Sequence, residues 1–430
     1  MYEQAQAVRT IYGEGRNLLI CGDVMKLPRE VRALKGKVQC VYLDPPFMTG
    51  EVFKRKRPYG EKGWRKGSPS LTLEGYADRF EGERGYLRFL RRIVTVSRDL
   101  LKDEGIFYLH LDWRMSARGR MLCDQIFGAE RFLNEIIWAY ESGGRNKRMF
   151  SRKHDTILMY ARSENYHFDL TQVPLARGQH RKNHMARKVD ENGRSYSSIV
   201  SGGKEYRYYD DEPVYPGDVW TDIGFLQQKD PERTGYPTQK PKKLLERLLK
   251  PVARPGELVA DLCCGSGTTL AAAETLGCFY LGMDVSAEAV SVCQNRLKAE
   301  NLTVICPTET DGVSALSSYD SEAGRLRMGG MDLRGDPWPE STPGEDLVEA
   351  WEIGRMAGKT FRVQKRYQRS FQYPALIDSL AVNPEKIPDI LMTDAAGARR
   401  AYRWRNDPEE TPAPDGTELR KKRAEEAMNR

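Results

Sequence analysis

Four consecutive residues, Asp44-Pro45-Pro46-Phe47, concentrate more chemistry than any other short run in this 430-residue chain. Two prolines in a row fix the backbone and remove two N–H donors, which leaves the Asp44 carboxylate and the Pro45 carbonyl as a rigid pair of acceptors. Such a pair suits an exocyclic amine, and the neighbouring Phe47 ring offers a face on which a planar base can stack. The same residues also make an Asx-Pro turn that ends a strand, and the motif alone does not choose between these readings. A second constellation is Asp261-Leu262-Cys263-Cys264-Gly265-Ser266-Gly267-Thr268-Thr269. Gly265 and Gly267 let the backbone turn tightly and approach a ligand, while Thr268 or Thr269 can cap a following helix. Leu270 stands where a dinucleotide fingerprint would place a third glycine, and no G-x-x-x-x-G-K-[ST] run occurs, so neither NAD or FAD binding nor ATP hydrolysis gains support. Asp284, 17 residues after Gly267, can accept both hydroxyls of a ribose or simply close a strand with a polar residue.

Both constellations need strands that end at them. The apolar run Val38 to Leu43 stops directly before Asp44, and Glu257 to Leu262 leads into the glycine loop. The carboxyl ends of parallel strands are where open α/β sheets bind ligands. Asn17 to Cys21, Gly105 to Leu111 and Cys278 to Asp284 read as further strands, and Tyr86 to Lys102, Pro241 to Leu249, Thr268 to Leu276 and Ala287 to Ala299 as helices. The alternation predicts an α/β fold with a doubly wound, mostly parallel sheet. Five segments follow: residues 1–140 and 238–306 as two α/β blocks, 141–237 as a polar insert with a loop-rich middle, 307–344 as a Ser/Gly/Asp/Pro-rich linker, and 345–430 as a small β-rich module with a frayed tail. Candidate strands in that module are Thr360 to Arg369, Asp389 to Thr393 and Arg399 to Trp404.

Together the motifs resemble the amino-group DNA methyltransferases that use S-adenosyl-L-methionine, in their circularly permuted β-class arrangement. Asp44 to Phe47 matches that family's catalytic D-P-P-[FY], and Asp261 to Thr269 its cofactor loop, usually D-P-F-x-G-S-G-T-T. Gly235 to Pro241 followed by Leu244-Leu245-Glu246-Arg247 resembles the segment that precedes this loop, and Gly22-Asp23 the element near the cofactor adenine. Phe132 to Trp138 and His154 to Leu158 resemble later core strands. The resemblance covers roughly residues 16 to 300, with the catalytic motif ahead of the cofactor motif and a variable region between.

This resemblance implies a Rossmann-like, circularly permuted methyltransferase fold in which 141–237 is an inserted target-recognition region. It makes Asp44, Pro45, Pro46 and Phe47 catalytic. It makes Asp23, Thr238, Gln239, Lys240, Asp261, Cys263, Gly265, Ser266, Gly267, Thr268 and Asp284 the cofactor contacts. The implied reaction is methyl transfer to N6 of an adenine flipped out of double-stranded DNA. Asp44 stands where permuted enzymes acting on cytosine N4 typically carry Ser, which favours adenine; cytosine-N4 transfer and a catalytically idle DNA-binding relative are the alternatives. Leu262 and Cys263 replace the usual Pro and Phe, so an aromatic wall expected beside the cofactor is missing there.

Charge then acquires a place. Lys and Arg number 68 against 61 Asp and Glu, a net +7 that permits a polyanionic partner without requiring one. The basic residues cluster as Lys54, Arg55, Lys56, Arg57, Lys62, Arg65 and Lys66 beyond the catalytic motif, and as Arg145, Lys147, Arg148, Arg152 and Lys153 in the insert. Beside a base-flipping site these are expected to contact DNA phosphates. Arg362, Lys365, Arg366, Arg369, Arg399, Arg400, Arg403 and Arg405 raise the prospect of a basic C-terminal surface that touches DNA; dimerisation or docking to a restriction-system partner would serve that region equally. The eight cysteines form no C-x-x-C pair and the histidines no H-E-x-x-H, so no metal site is expected. No apolar run reaches the ~20 residues of a membrane span, and the expected location is the bacterial cytoplasm or nucleoid.

Overall fold

The computed structural model describes residues 2–66, 69–141, 146–175, 187–297, 301–309, 344–370, 375–377, 379–394 and 398–404, with short pieces at 315, 317–320, 322–323, 325–328, 331 and 396. Arg145, most of the expected linker and the expected tail lie outside the described residues, as do the side chains of Arg55 and Arg57.

Val38–Leu43 is buried at all six positions, the pattern of a strand covered on both faces. It lies within a run of six parallel neighbours: Leu302–Ile305, Asn17–Cys21, Phe279–Asp284, Leu258–Asp261, Val38–Leu43 and Leu101–Leu111. Alternate residues feed two cores. Leu19, Cys40, Tyr42, Ile106 and Tyr108 pack with the helices Lys242–Leu249, Thr268–Thr275 and Ala287–Arg296. Ile20, Val41, Leu43, Phe107 and Leu109 pack on the other face with Gly82–Leu100 and Ser116–Phe127. This is the doubly wound arrangement the alternation of elements predicts.

Beyond Leu101–Leu111 the sheet continues antiparallel through His154–Ala161 and Phe132–Ala139, with Val219–Trp220 at its edge. The insert boundary therefore needs correcting: His154–Ala161, buried at seven of its eight positions, is a core strand inside the 141–237 segment. The middle of that segment is also more regular than expected. Arg187–Val189, Ser195–Ser201 and Lys204–Tyr209 form an antiparallel sheet, its second turn made by Gly202 and Gly203, both at positive φ as a two-residue hairpin of this type requires.

The C-terminal strands do not stand apart as a small module. Thr360–Gln368 pairs with Arg9–Tyr12, which pairs with Leu302–Ile305, and Val348–Ala357, Asp389–Asp394, Arg399–Trp404 and Tyr2–Ala5 extend the same sheet to fifteen strands among the described residues. An ionic cluster welds the junction. Glu352, fully buried, accepts from Arg366 at 3.0 Å, Arg399 at 3.3 Å and the Tyr12 hydroxyl. Arg369, Arg399 and Arg400 are buried, the last against Asp394 at 3.0 Å, so these arginines hold the fold and do not offer a DNA surface. The expected linker likewise contributes structure: Ser318–Asp320 and Arg325–Arg327 pair with each other and, through the latter, with Ser379–Ala381.

Candidate active site

Four adjacent parallel strands end on one side of the sheet with Cys21, Asp284, Asp261 and Leu43, so that Gly22-Asp23, the glycine loop and Asp44 converge there. A cavity of about 600 Å³ opens at this edge, within the ~300–1,000 Å³ range of small-molecule sites. Its walls include Asp23, Asp44, Pro46, Thr238, Gln239, Lys240, Asp261, Cys263, Gly265, Ser266, Thr268 and Asp284, twelve residues singled out from the sequence. Pro45, Phe47 and Gly267 fall outside the lining. Gly267, at φ 72°, sets the start of the Thr268–Thr275 helix, and a Cβ there would come within 2.8 Å of Cys293 Sγ. It is the helix cap, so Thr268 and Thr269 lie inside the helix and do not cap it.

The carboxylates are not equivalent. Asp284 Oδ2 accepts from Gly265 N and its Oδ1 from Ser286 N, both at 2.9 Å, and the residue lines the cavity. Burial raises its pKa against hydrogen bonds from the backbone N–H groups of Ser286, Gly265 and Val285. Asp261 accepts from Thr269 Oγ1 at 2.6 Å and Cys263 N at 3.0 Å. Burial, reinforced by the charges of Asp44 and Asp284, pushes its pKa up to about 7. Asp23 accepts from Met25 N at 2.9 Å and is partly exposed. Gln239 has its amide committed: the oxygen takes Thr234 N and Oγ1 at 2.8 and 2.9 Å, and the nitrogen donates to the Glu232 carbonyl at 2.9 Å. Its side chain braces the segment that bears Thr238, itself at φ 59°, while Gln239 remains part of the cavity wall.

Around Asp44 the structure supplies partners that sequence reasoning missed. Lys240 Nζ donates to both Asp44 oxygens, at 2.9 and 2.7 Å, and lies 5.0 Å from the centre of the Phe47 ring. Asp78, buried, accepts from Phe47 N at 3.1 Å, Met48 N at 2.9 Å and Thr49 N and Oγ1 at 2.8 Å, clamping a loop in which Met48 sits at φ 59°. Beneath Phe47, stacked at 6.1 Å, the buried His110 ring joins the Tyr42 hydroxyl at 2.7 Å to Asp155 at 3.0 Å, and Asp155 also accepts from Tyr140 at 2.8 Å. Burial opposes ionisation of Asp155, but the hydrogen bond and charge of His110, with Lys240 and Tyr140, outweigh it and bring the pKa down to about 2. The ionised Asp155 accepts from the Nε2–H of His110, and Nδ1 of the same ring faces the Tyr42 hydroxyl. Arg296 ties the start of the Thr268–Thr275 helix to the segment that bears Glu232: it donates to Thr268 Oγ1 at 2.8 Å and pairs with Glu232 at 2.9 Å.

The aromatic wall that Cys263 fails to provide has other contributors, since Phe80, Phe89 and Tyr236 line the cavity. No spacing rule pointed to Phe80 or Phe89, whereas Tyr236 lies in the Gly235 to Pro241 segment singled out above. The basic clusters also find places. Val52–Pro58 and Ser70–Ala77 form a two-stranded ribbon rooted at the loop that follows Asp44 by Gly50 N to Asp78 O and Asp78 N to Glu51 O. On it, or on the helix Gly60–Lys66 at its tip, Lys54, Lys56, Lys62, Arg65 and Lys66 are exposed, with Arg65 paired to Glu61 at 2.6 Å. Lys147, Arg148 and Arg152 are exposed and Lys153 half-buried; the Arg152 guanidinium lies 3.5 Å over the exposed Trp113 ring.

A cavity at the switch of an α/β sheet, walled by carboxylates and aromatics and closed by a proline-fixed Asp, defines a group-transfer site for a nucleoside-bearing ligand. The chain belongs to the N6/N4 DNA methylase family, whose profile matches residues 38–295. The methyl donor of that family is S-adenosyl-L-methionine. Among curated relatives, the chain is 26% identical over 307 residues to the type II methyltransferase M.EcaI of Enterobacter cloacae, covering 60% of this chain and 64% of that protein. It is 24% identical over 320 residues to the DNA adenine methyltransferase YhdJ of Escherichia coli, covering 72% of this chain and 94% of that one. Among solved structures, the cytosine-N4-specific PvuII DNA methyltransferase aligns with a TM-score of 0.42 at 15% identity, over 67% of this chain and 90% of that one.

Proposed function

We propose that this chain transfers a methyl group from S-adenosyl-L-methionine to N6 of an adenine flipped out of duplex DNA. The observation that carries the reading is the position of Asp44: its carboxylate stands at the cavity wall, on a loop held rigid by two prolines and by Asp78, with the Phe47 ring beside it. Asp in the first motif position, where the cytosine-N4 enzymes that the sequence resembles typically carry Ser, supports adenine, as does likeness to a relative named as a DNA adenine methyltransferase. The order of the two motifs supports the permuted arrangement. The restriction-modification setting is carried over from relatives named as type II methyltransferases and as type III Mod subunits.

The residues present fit the donor. Asp284 and Asp23 offer carboxylate acceptors for ribose and adenine, and the acidic wall suits a cation. Thr238, Ser266 and the Gly265 loop would hold the methionine end, braced by Gln239 and Arg296. When bound, the donor supplies a sulfonium methyl already activated for direct displacement. Asp44 and the Pro45 carbonyl accept the two N–H groups of the amine, which turns its lone pair out of conjugation with the ring and aims it. Phe47 stacks on the extruded base. Asp44 is also the nearest base for the proton the nitrogen sheds. Lys54 and Lys56 on the ribbon and Lys62 and Lys66 on the helix at its tip, with Lys147, Arg148 and Arg152, contribute phosphate contacts.

The test is transfer of labelled methyl into duplex genomic DNA, followed by nucleoside analysis. N6-methyladenine is expected, with transfer lost and cofactor binding retained in Asp44→Ala. Recovery of N4-methylcytosine would replace adenine by cytosine, and tight cofactor binding with no methylated base on any DNA would refute the enzyme reading.

A further inference from the structure

We propose that Lys240 is a built-in stand-in for the target amine: its ammonium occupies the Asp44 acceptors beside the Phe47 ring, and an entering base must displace it before transfer. This deepens the methyl-transfer reading and rests on it. The geometry is the argument. Both Asp44 oxygens accept from Lys240 Nζ, at 2.7 and 2.9 Å, and the same nitrogen lies 5.0 Å from the Phe47 ring centre. A nitrogen that donates hydrogens to Asp44 beside Phe47 is what the target amine must itself become. The pair is sheltered, with side-chain exposures of 10% and 19%, so the two amines compete for one place and do not share open solvent.

The surroundings make displacement a side-chain event. The Lys240 carbonyl accepts from Thr268 Oγ1 at 3.3 Å, Gln239 before it is locked to Thr234 and Glu232, and Pro241 after it has a fixed φ. The backbone is therefore held on both sides, and the flexible four-carbon stem is the part free to swing. Charge requires the swing. As the methyl arrives, positive charge grows on the target nitrogen, and the Asp44 carboxylate stabilises it only once the ammonium has left. An ammonium that stayed would set two cations against one carboxylate. The consequence is selectivity: a base enters only if recognition elsewhere supplies enough binding free energy to break the Asp44–Lys240 pair, so a poorly matched site is refused.

The experiment uses the full chain, its site first mapped by sequencing that detects modified bases. Duplexes with 2-aminopurine at the target report base extrusion by fluorescence, and methylation of sites that differ by one base pair reports selectivity. Lys240→Met, which keeps the stem and removes the charge, is expected to favour extrusion about tenfold and to raise methylation of mismatched sites relative to the true site by a similar factor, as loss of a sheltered charge pair would allow. Lys240→Arg keeps a cation on Asp44 and is expected to leave extrusion at or below the wild-type level; enhanced extrusion there overturns the proposal. So does Lys240→Met with unchanged extrusion and selectivity, or with kcat reduced a hundredfold at unchanged extrusion, which would place the ammonium in the chemistry itself. Absence of methyl transfer by the wild-type protein would instead remove the reading on which the proposal rests.

Discussion

Replacing Asp78 by Asn changes one atom and should disable the site without touching the cavity wall. The Asp78 carboxylate accepts four hydrogen bonds, from Phe47 N, Met48 N, Thr49 N and Thr49 Oγ1. Three of these go to Oδ2 and one to Oδ1. An Asn in the same rotamer presents an oxygen at one position and an NH2 at the other, so either one or three loop donors face a donor. Hydrogen bonds to a charged group are worth about 1.5–3 kcal/mol each, and a relaxed, rehydrated loop recovers part of that. A net loss of about 3 kcal/mol is therefore expected, with Met48 free to leave its positive φ. Since displacement of a reacting group by about 1 Å costs on the order of a hundredfold in rate, kcat for methyl transfer should fall at least that far. The KM for S-adenosyl-L-methionine should change little, because Asp78 is not among the cavity-lining residues. Steady-state kinetics with a mapped DNA site, alongside thermal denaturation, measures both. An Asp78→Asn protein with wild-type kcat and melting temperature refutes the idea that this carboxylate builds the catalytic loop.

Arg296→Met should raise the KM for the donor about tenfold with a smaller effect on kcat, since it unties Thr268 from Glu232 and costs about 1–2 kcal/mol of charged hydrogen bonding; an unchanged donor affinity would count against the brace. Asp261, raised to about 7 from 3.8, binds its proton more tightly folded than unfolded, so it favours the fold most at low pH and that advantage is lost as pH rises from about 4 through 7. Relative to Asp261→Asn, the wild-type melting temperature should therefore decline over that window; parallel curves would show that Asp261 titrates normally. Glu352→Ala should cost about 3–5 kcal/mol of stability by stranding Arg399 and Arg366, seen as a fall in the denaturant midpoint, while the KM for DNA stays near wild type if these arginines do not touch it.

Strands and helices that flank the motifs were readable because burial on both faces gives continuous apolar runs, as in Val38–Leu43, and because a strand must end where the prolines begin. The cavity residues followed from the same logic, since carboxyl ends of neighbouring strands meet. Asp78 escaped because its partnership with residues 47–49 crosses a ribbon of nearly thirty residues, and its neighbours Ala77 and Arg79 carry no motif. His110 and Asp155 escaped because each looks like one polar position in an apolar strand, and only the register, which sets His110 opposite Ile157 and so diagonal to Asp155, brings them together. Three of the C-terminal arginines, Arg366, Arg399 and Arg400, misled for the opposite reason: counted as surface charge, they find buried carboxylates that no sequence spacing announces. The hairpin at Gly202-Gly203 was legible in principle, and the Tyr- and Ser-rich strands beside it were obscured by their polarity.

The joining of distant segments in the central sheet has a consequence for how the chain is made. Asn17–Cys21 has both of its sheet neighbours, Phe279–Asp284 and Leu302–Ile305, far downstream. At about 5–20 residues per second, the nearer neighbour leaves the ribosome some tens of seconds after Cys21, roughly 260 residues later. During that interval an apolar strand next to the catalytic half waits with both edges open, and such non-local pairing is slow even when all partners are present. The nascent chain should therefore lean on chaperones that mask strand edges, and yield of active protein should be more sensitive to temperature and translation speed than the stability of the finished sheet would suggest.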